Sequence, residues 1–477
     1  MTLLAGLDVG TSSVKGLLVR ADDGAVVARA DVEHPLSMPR PGWAEQDPED
    51  WWTGARAVLD ALGAEAEIAS IGLTGQMHGL VALDAGDRVL RPAMLWNDGR
   101  TGAQCAEIEQ RVGLRALIAQ TGNRALPGFT APKLLWLARH EPDVYARIDR
   151  VLLPKDYVRL RLCGEHATDV ADASGTLLFD VARRRWSDAM AEVLEVDPAW
   201  LPRALESPQL SGTTPSGIPV GAGAGDQAAG ALGVGVDRPG PASVVLGTSG
   251  VVFAASEAFG ADPAARIHAF CHAVPDAWHS MGVMLSAAGS LRWLRDVAAP
   301  GDDFAALLAE AERWEPGAEG LTFLPYLAGE RTPHADPDAR GAFTGLSLRH
   351  DRGALVRAVL EGVAFGLRDG LDLVSELSGG PTLGRVSGGG ARSRLWLQIL
   401  ASVLELPLQR TAVDEGASFG AALLGGVAAG VFGDVHEAVA ACVRPGEIVE
   451  PVAQWVEPYR AARERFVALY PALRELA

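Results

Sequence analysis

The tripeptide Gly-Thr-Ser occurs twice in this chain, at Gly10-Thr11-Ser12 in "LDVGTSSVKGLLV" and at Gly247-Thr248-Ser249 in "VVLGTSGVVFAAS". Each copy lies between two apolar runs short enough to be strands, and the copies stand almost half the chain apart. A repeat at that spacing constrains the fold more than any single segment, because each copy must be one unit of a duplicated architecture. The 477 residues exceed the roughly 250–300 that one core supports, which also predicts two domains. The break falls in "GVDRPGPAS", where Pro239, Gly240 and Pro241 interrupt any continuing element, giving domains over 1–238 and 239–477.

Helix and strand patterns alternate along both halves, so the fold class is α/β. In "DPEDWWTGARAVLDALG", Asp47 reads as an N-cap, Pro48 as the first helical residue and Gly63 as the stop. "ALVRAVLEGVAFGLRDGLDLV" sets Val356, Leu360, Val363, Leu367, Leu371 and Val374 on one helical face, with Arg357, Glu361, Arg368 and Asp372 elsewhere. The stretch 217–236 is apolar over a membrane-spanning length. A third of it is glycine and Asp226 and Gln227 sit at its centre, so it reads as a buried glycine-rich turn.

A formal charge of -18 argues against nucleic acid, whose binders carry a basic footprint, and against an anionic membrane surface. Cys105, Cys163, Cys271 and Cys442 form no C-x-x-C pair, and no basic-apolar leader opens the chain, so a reducing, cytoplasmic setting is expected. Only three of the 42 basic residues are lysine: Lys15, Lys133 and Lys155. In so arginine-biased a chain, a retained lysine suggests a place for a compact, strongly hydrated ammonium.

A phosphate needs converging N–H groups and hydroxyls with little side-chain bulk, which a Gly-Thr-Ser turn supplies; two such turns can enclose a polyphosphate. Asp8, two residues before the first turn, either holds Mg²⁺ near phosphates or bonds the N–H groups of its own turn. Asp226, the lone strong acceptor in "GAGAGDQAAGALG", suits a carboxylate that takes a hydroxyl proton, or a helix N-cap. Gln76, Met77 and His78 in "GLTGQMHG" come just after a strand, where an open α/β sheet meets its ligand. Gly388, Gly389 and Gly390 in "SGGGARSRLW" suit a flat ligand on bare backbone, without the Walker or dinucleotide spacing. "HAFCHA" reads as a strand, not a metal site. Glu330, Arg331 and His334, in "AGERTPHADPDARGAF", either lid a cleft or cross the surface.

Taken together, "DVGTSSVK", "PGWAEQDPEDWW", "GQMHG", "LWNDGR", "GFTAPKLLWLARH", "LLPKDYVRLRL", "GAGDQAAGALG", "LGTSGVVFA", "PYLAGERTPH" and "GGGARS" succeed one another over essentially the whole chain. In that order they resemble the FGGY carbohydrate kinases, a branch of the actin-like, ribonuclease-H-fold ATPases. The resemblance implies two duplicated actin-like domains flanking a catalytic cleft. It further implies ATP and Mg²⁺, no nucleic-acid or membrane partner, a homodimer as in many relatives, and phosphorylation of D-xylulose to D-xylulose 5-phosphate.

By the same resemblance Asp226 is the catalytic base and, with Asp8, faces the metal. Met77 and His78, beside Gln76, contact the sugar. Gly10, Thr11, Ser12 and Lys15, with Gly247, Thr248 and Ser249, hold the ATP phosphates, and Gly389, Gly390, Ala391 and Arg392 lie at its adenosine end. Gln227 departs from the asparagine common in the family while keeping an amide. Another ketopentose or polyol as substrate, and a non-catalytic nucleotide switch or sugar sensor, are the alternatives.

Overall fold

The computed structural model describes residues 2–63, 68–413 and 416–475. The first half opens with β1 (Leu3–Val9), β2 (Ser13–Arg20) and β3 (Val26–Glu33), followed by α1 (Pro48–Ala61) and β4 (Ile68–Gly75). Asp47 caps α1, its side chain accepting the Glu49 N–H, and Gly63 follows the helix with φ of 65°. After α2 (Thr130–His140), α3 (Pro154–Cys163) and the short α4 (Val170–Ala173), the half closes with β5 (Leu210–Thr213), β6 (Pro219–Gly221), β7 (Ala224–Gly225) and α5 (Asp226–Gly233). The glycine-rich stretch is therefore two short strands and a helix. No helix among the described residues is long and apolar enough to cross a membrane.

The second half repeats the plan. It contains β8 (Pro241–Leu246), β9 (Gly250–Ser256), β10 (His268–Cys271), β11 (Trp278–Met284), α6 (Ala288–Ala298), α7 (Phe304–Ala311) and α8 (Arg352–Ser378). Then come β12 (Leu383–Ser387), α9 (Arg394–Leu404), β13 (Leu408–Thr411), α10 (Gly416–Ala428), α11 (Val435–Cys442), β14 (Pro445–Val449) and α12 (Ala453–Arg474).

The first sheet runs β5-β6-β4-β1-β2-β3, with β7 also on β4; the second runs β10-β11-β9-β8-β12-β13-β14. In each, a hairpin (β1/β2, β8/β9) extends on one side into an antiparallel strand (β3, β11) and on the other into parallel ones (β4 and β6, β12 and β13). The two Gly-Thr-Ser turns are the tips of these equivalent hairpins. The fold is thus a duplicated α/β architecture of actin-like, ribonuclease-H-like topology.

Two features depart from a local reading. Arg357 and Glu361 on α8 are buried: Arg357 Nε donates to Glu361 Oε1 at 2.6 Å and its Nη2 to the Tyr459 hydroxyl at 2.5 Å, so α12 supplies the partner that makes this pair tolerable. Secondly, α10 and α11 return to the first sheet. A Cβ at Gly6 would lie 1.9 Å from Ser418 O, one at Gly72 1.7 Å from Ala421 O, and one at Gly420 1.9 Å from Ala229 O. Only glycine lets α10 lie this closely on β1, on β4 and on α5, the helix that begins with Asp226.

Candidate active site

Strand register gathers the first group of residues. Val9 pairs with Gly75, and Gly75 with Gly225, so three parallel strands end at one level. The segments that leave these strand ends therefore meet at one sheet edge: the Gly10-Thr11-Ser12 turn, Gln76-Met77-His78, and Asp226. The turn is braced from below. Thr11 Oγ1 donates to Gln76 Oε1 at 3.1 Å and accepts Trp96 Nε1 at 3.0 Å; Gln46 Nε2 donates to Thr11 O at 2.7 Å, and Gln76 Nε2 to Gln46 Oε1 at 3.0 Å. Gln76 is thus spent on holding the turn. Gln46 and Trp96 were not singled out from the sequence, and nothing local to them shows that they would reach this turn.

Met77 and His78 occupy a tight corner. A Cβ at Gly225 would stand 2.8 Å from Met77 Cγ, and one at Gly175 2.4 Å from His78 Nδ1, so both glycines make room for these side chains. His78 has φ of 70°, held by its carbonyl, which accepts from Lys133 Nζ at 2.8 Å and Thr130 Oγ1 at 3.1 Å. Its Nδ1 meets Gly175 O at 2.7 Å, which assigns the proton to Nδ1 and leaves Nε2 an acceptor. Burial, aided by Lys133, holds this imidazole down to about 3, so it stays neutral. Lys133 is itself lowered to about 7 by burial and also bonds Gly128 O at 2.6 Å.

Two carboxylates stand at the same edge, both partly exposed. Burial, then the charge of Asp8, pushes Asp226 up to about 7, against hydrogen bonds from Gln227. Burial pushes Asp8 up to about 6, with Lys15 opposing and Asp31 adding. Lys15 stands opposite Asp8 across β1/β2 and opposite Asp31 across β2/β3. The buried Oδ1 of Asp8 has no hydrogen-bond partner, which fits a divalent cation.

The second turn builds a separate wall. Val245 pairs with Ser387, so Gly247-Thr248-Ser249 and Gly388–Arg392 emerge side by side. Ala287 N and Gly289 N donate to Thr248 O at 2.8 and 3.2 Å, seating the turn on the start of α6. Thr248, Gly389, Gly390 and Arg392 line a cavity of about 630 Å³ together with Leu291, Phe304 and Leu308. That volume and that mix of bare backbone and apolar side chains suit a flat heterocycle. Ala391 is buried in the core instead. The three apolar residues read as ordinary amphipathic-helix positions and were not singled out.

The Glu330–His334 loop is tied to the end of β11. Glu330 Oε1 accepts from Leu285 N at 3.0 Å and Arg331 N at 2.7 Å, and Thr332 Oγ1 accepts from Val283 N at 3.0 Å. Arg331 lies near enough to His78 and His268 for its charge to lower both. His268 Nδ1 in turn meets Asn123 Oδ1 at 2.7 Å, and His334 stacks on Tyr470. The four cysteines are free thiols.

Comparison with known proteins places this geometry. Residues 3–233 match the N-terminal domain, and residues 242–429 the C-terminal domain, of the FGGY family of carbohydrate kinases. The xylulose kinase of Escherichia coli (strain K12) is 44% identical over 99% of this chain and 99% of its own. Among solved structures, a "xyloylose kinase" from Brucella ovis superposes with a TM-score of 0.93 at 43% identity, covering 100% of both chains. The xylulose kinase from Rhodospirillum rubrum gives 0.90 at 35% identity, covering 99% of both.

Proposed function

Because the chain belongs to the FGGY family of carbohydrate kinases, we propose that it transfers the γ-phosphoryl group of ATP to D-xylulose, yielding ADP and D-xylulose 5-phosphate. The observation that carries the reading is Asp226, a carboxyl poised near neutrality at the sheet edge that also bears Met77, His78 and the first Gly-Thr-Ser turn. The choice of sugar rests on the relatives' names.

In this reading residues 1–238 bear the sugar and the base, and residues 239–477 the nucleotide. The 630 Å³ cavity takes the adenosine end, against Gly389, Gly390 and Arg392 with Ala391 behind them. The turns at Gly10, Thr11, Ser12 and at Gly247, Thr248, Ser249 hold the phosphates, with Lys15 beside the first. Met77 packs on the sugar carbons, and Nε2 of the neutral His78 accepts a hydroxyl hydrogen bond. Gln76 acts through the turn it braces. Asp226 takes the proton of the terminal hydroxyl as that oxygen attacks the γ-phosphorus in line. Asp8 and Asp226 would hold Mg²⁺, which when bound neutralises phosphate charge.

The test is Asp226→Ala. Sugar-dependent ADP release should be lost while ATP binding, followed by titration calorimetry, persists. Undiminished turnover would reject the assigned base.

A further inference from the structure

Behind the site loops lies a group of charges that the proposed chemistry leaves unused. Lys155 and Arg159 of α3 meet Asp156, Asp169 and Asp172, and all five side chains are wholly buried. Lys155 Nζ stands 2.7 Å from Asp156 Oδ1, 2.7 Å from Asp169 Oδ2 and 2.9 Å from Asp172 Oδ2. Arg159 Nη1 stands 2.5 Å from Asp156 Oδ1. Ions so far from water are costly, and apolar residues of similar volume often stabilise a fold as well or better. Stability alone is therefore a weak reason for this cluster.

Three connections lead from it to the site. Arg159 Nη2 donates to Ala222 O, and Ser207, whose Oγ donates to Asp169 Oδ1 at 3.4 Å, accepts the Gly223 N–H at its carbonyl at 3.0 Å. The turn leading into Asp226 is thus gripped at two successive residues. Asp169 Oδ1 also accepts the Asp172 N–H at 3.0 Å, capping α4, which runs directly toward Gly175, the residue whose carbonyl orients His78. Finally, the first turn of α3 abuts both ends of the Gln76–His78 segment: a Cβ at Gly75 would lie 3.3 Å from Lys155 Cβ, and one at Gly79 2.6 Å from Pro154 Cγ.

We propose that Lys155 and Arg159, with Asp156, Asp169 and Asp172, form a positioning hub that holds Asp226 and His78 in one fixed relation for phosphoryl transfer. The proposal rests on the reading of Asp226 as the base. Burial pushes the Asp169 and Asp172 carboxyls up, with Lys155 opposing in both, so the ammonium is what keeps these acids in the cluster.

Arg159→Lys tests it. The variant keeps the charge, but one ammonium cannot replace a guanidinium that serves Asp156, Ala167 O and Ala222 O together. A displacement of about 1 Å in a reacting group costs up to about 100-fold in rate, so kcat per folded site for sugar-dependent ADP release should fall about 10- to 100-fold. The KM for ATP should stay unchanged. A merely structural role would lower the yield of folded enzyme and leave kcat per site intact.

Ser207→Ala leaves every ion pair in place and decides the matter should Arg159→Lys not fold; it should lower kcat about two- to fivefold with the same unchanged ATP KM. Wild-type kcat per site in either folded variant overturns the hub. Asp226→Ala, run alongside, separates the two readings: if it is active the base assignment falls, whereas an inactive Asp226→Ala beside a fully active Arg159→Lys removes the hub alone.

Discussion

Replacing Asp226 by Asn separates the two consequences of placing that carboxyl in the cleft. Burial and Asp8 move its pKa from the usual 3.8 to about 7. At about 1.4 kcal/mol per pH unit, keeping it ionised in the fold costs on the order of 4 kcal/mol. Between about pH 4 and pH 7 the folded protein retains a proton that the unfolded chain has released. Stability therefore falls as pH rises through that window and is recovered below it.

An amide has the shape of the carboxylic acid and no charge. With a discount for the water that reaches this partly exposed group, Asp226→Asn should be more stable than wild type by about 1–3 kcal/mol at about pH 8. The gain should vanish by about pH 4, where both proteins are neutral at this position. Urea unfolding at the two pH values, followed by tryptophan fluorescence, measures the difference. The same substitution removes the proposed base and should slow turnover of D-xylulose by about 10²- to 10⁴-fold. No gain at high pH, or an equal gain at both pH values, would refute the electrostatic reasoning.

Other substitutions probe the remaining parts. Leu308→Asp places a charge in the apolar wall of the 630 Å³ cavity; the KM for ATP should rise about tenfold or more with the sugar KM unchanged, as steady-state kinetics would show. Gly72→Ala drives a methyl against Ala421 O and should cost about 1–3 kcal/mol or more in chemical unfolding. Gly102→Ala, at the start of a helix with nothing within 4 Å of its new Cβ, should be neutral or stabilising by up to about 1 kcal/mol.

What the sequence makes legible is what local chemistry decides. The two Gly-Thr-Ser hairpins and the Asp47-Pro48 helix start arise from turn and capping preferences, which act within a few residues. Their duplication is enough to predict two α/β units. Partners supplied from far along the chain leave no such trace. Arg357 and Glu361 look like a solvated i,i+4 pair until α12 brings Tyr459 against them. Gln76 looks like a ligand contact until Gln46 and Thr11 claim its amide.

Leu291, Phe304 and Leu308 carry no mark that distinguishes a cavity wall from an ordinary core face. The lysines are an intermediate case. Their rarity marks Lys133 and Lys155, which are wholly buried, but only the fold shows one fixing the His78 carbonyl and the other gathering three aspartates.

The central claim is that this chain phosphorylates D-xylulose, and substrate competition tests it most directly. ADP release should be measured over D-xylulose, D-ribulose, pentitols and glycerol, with the product of each identified by mass and by ³¹P resonance. The highest kcat/KM should fall on D-xylulose, with phosphate on its terminal hydroxyl. A higher kcat/KM on any other member of the panel, or ADP release without a phosphorylated sugar, would contradict it.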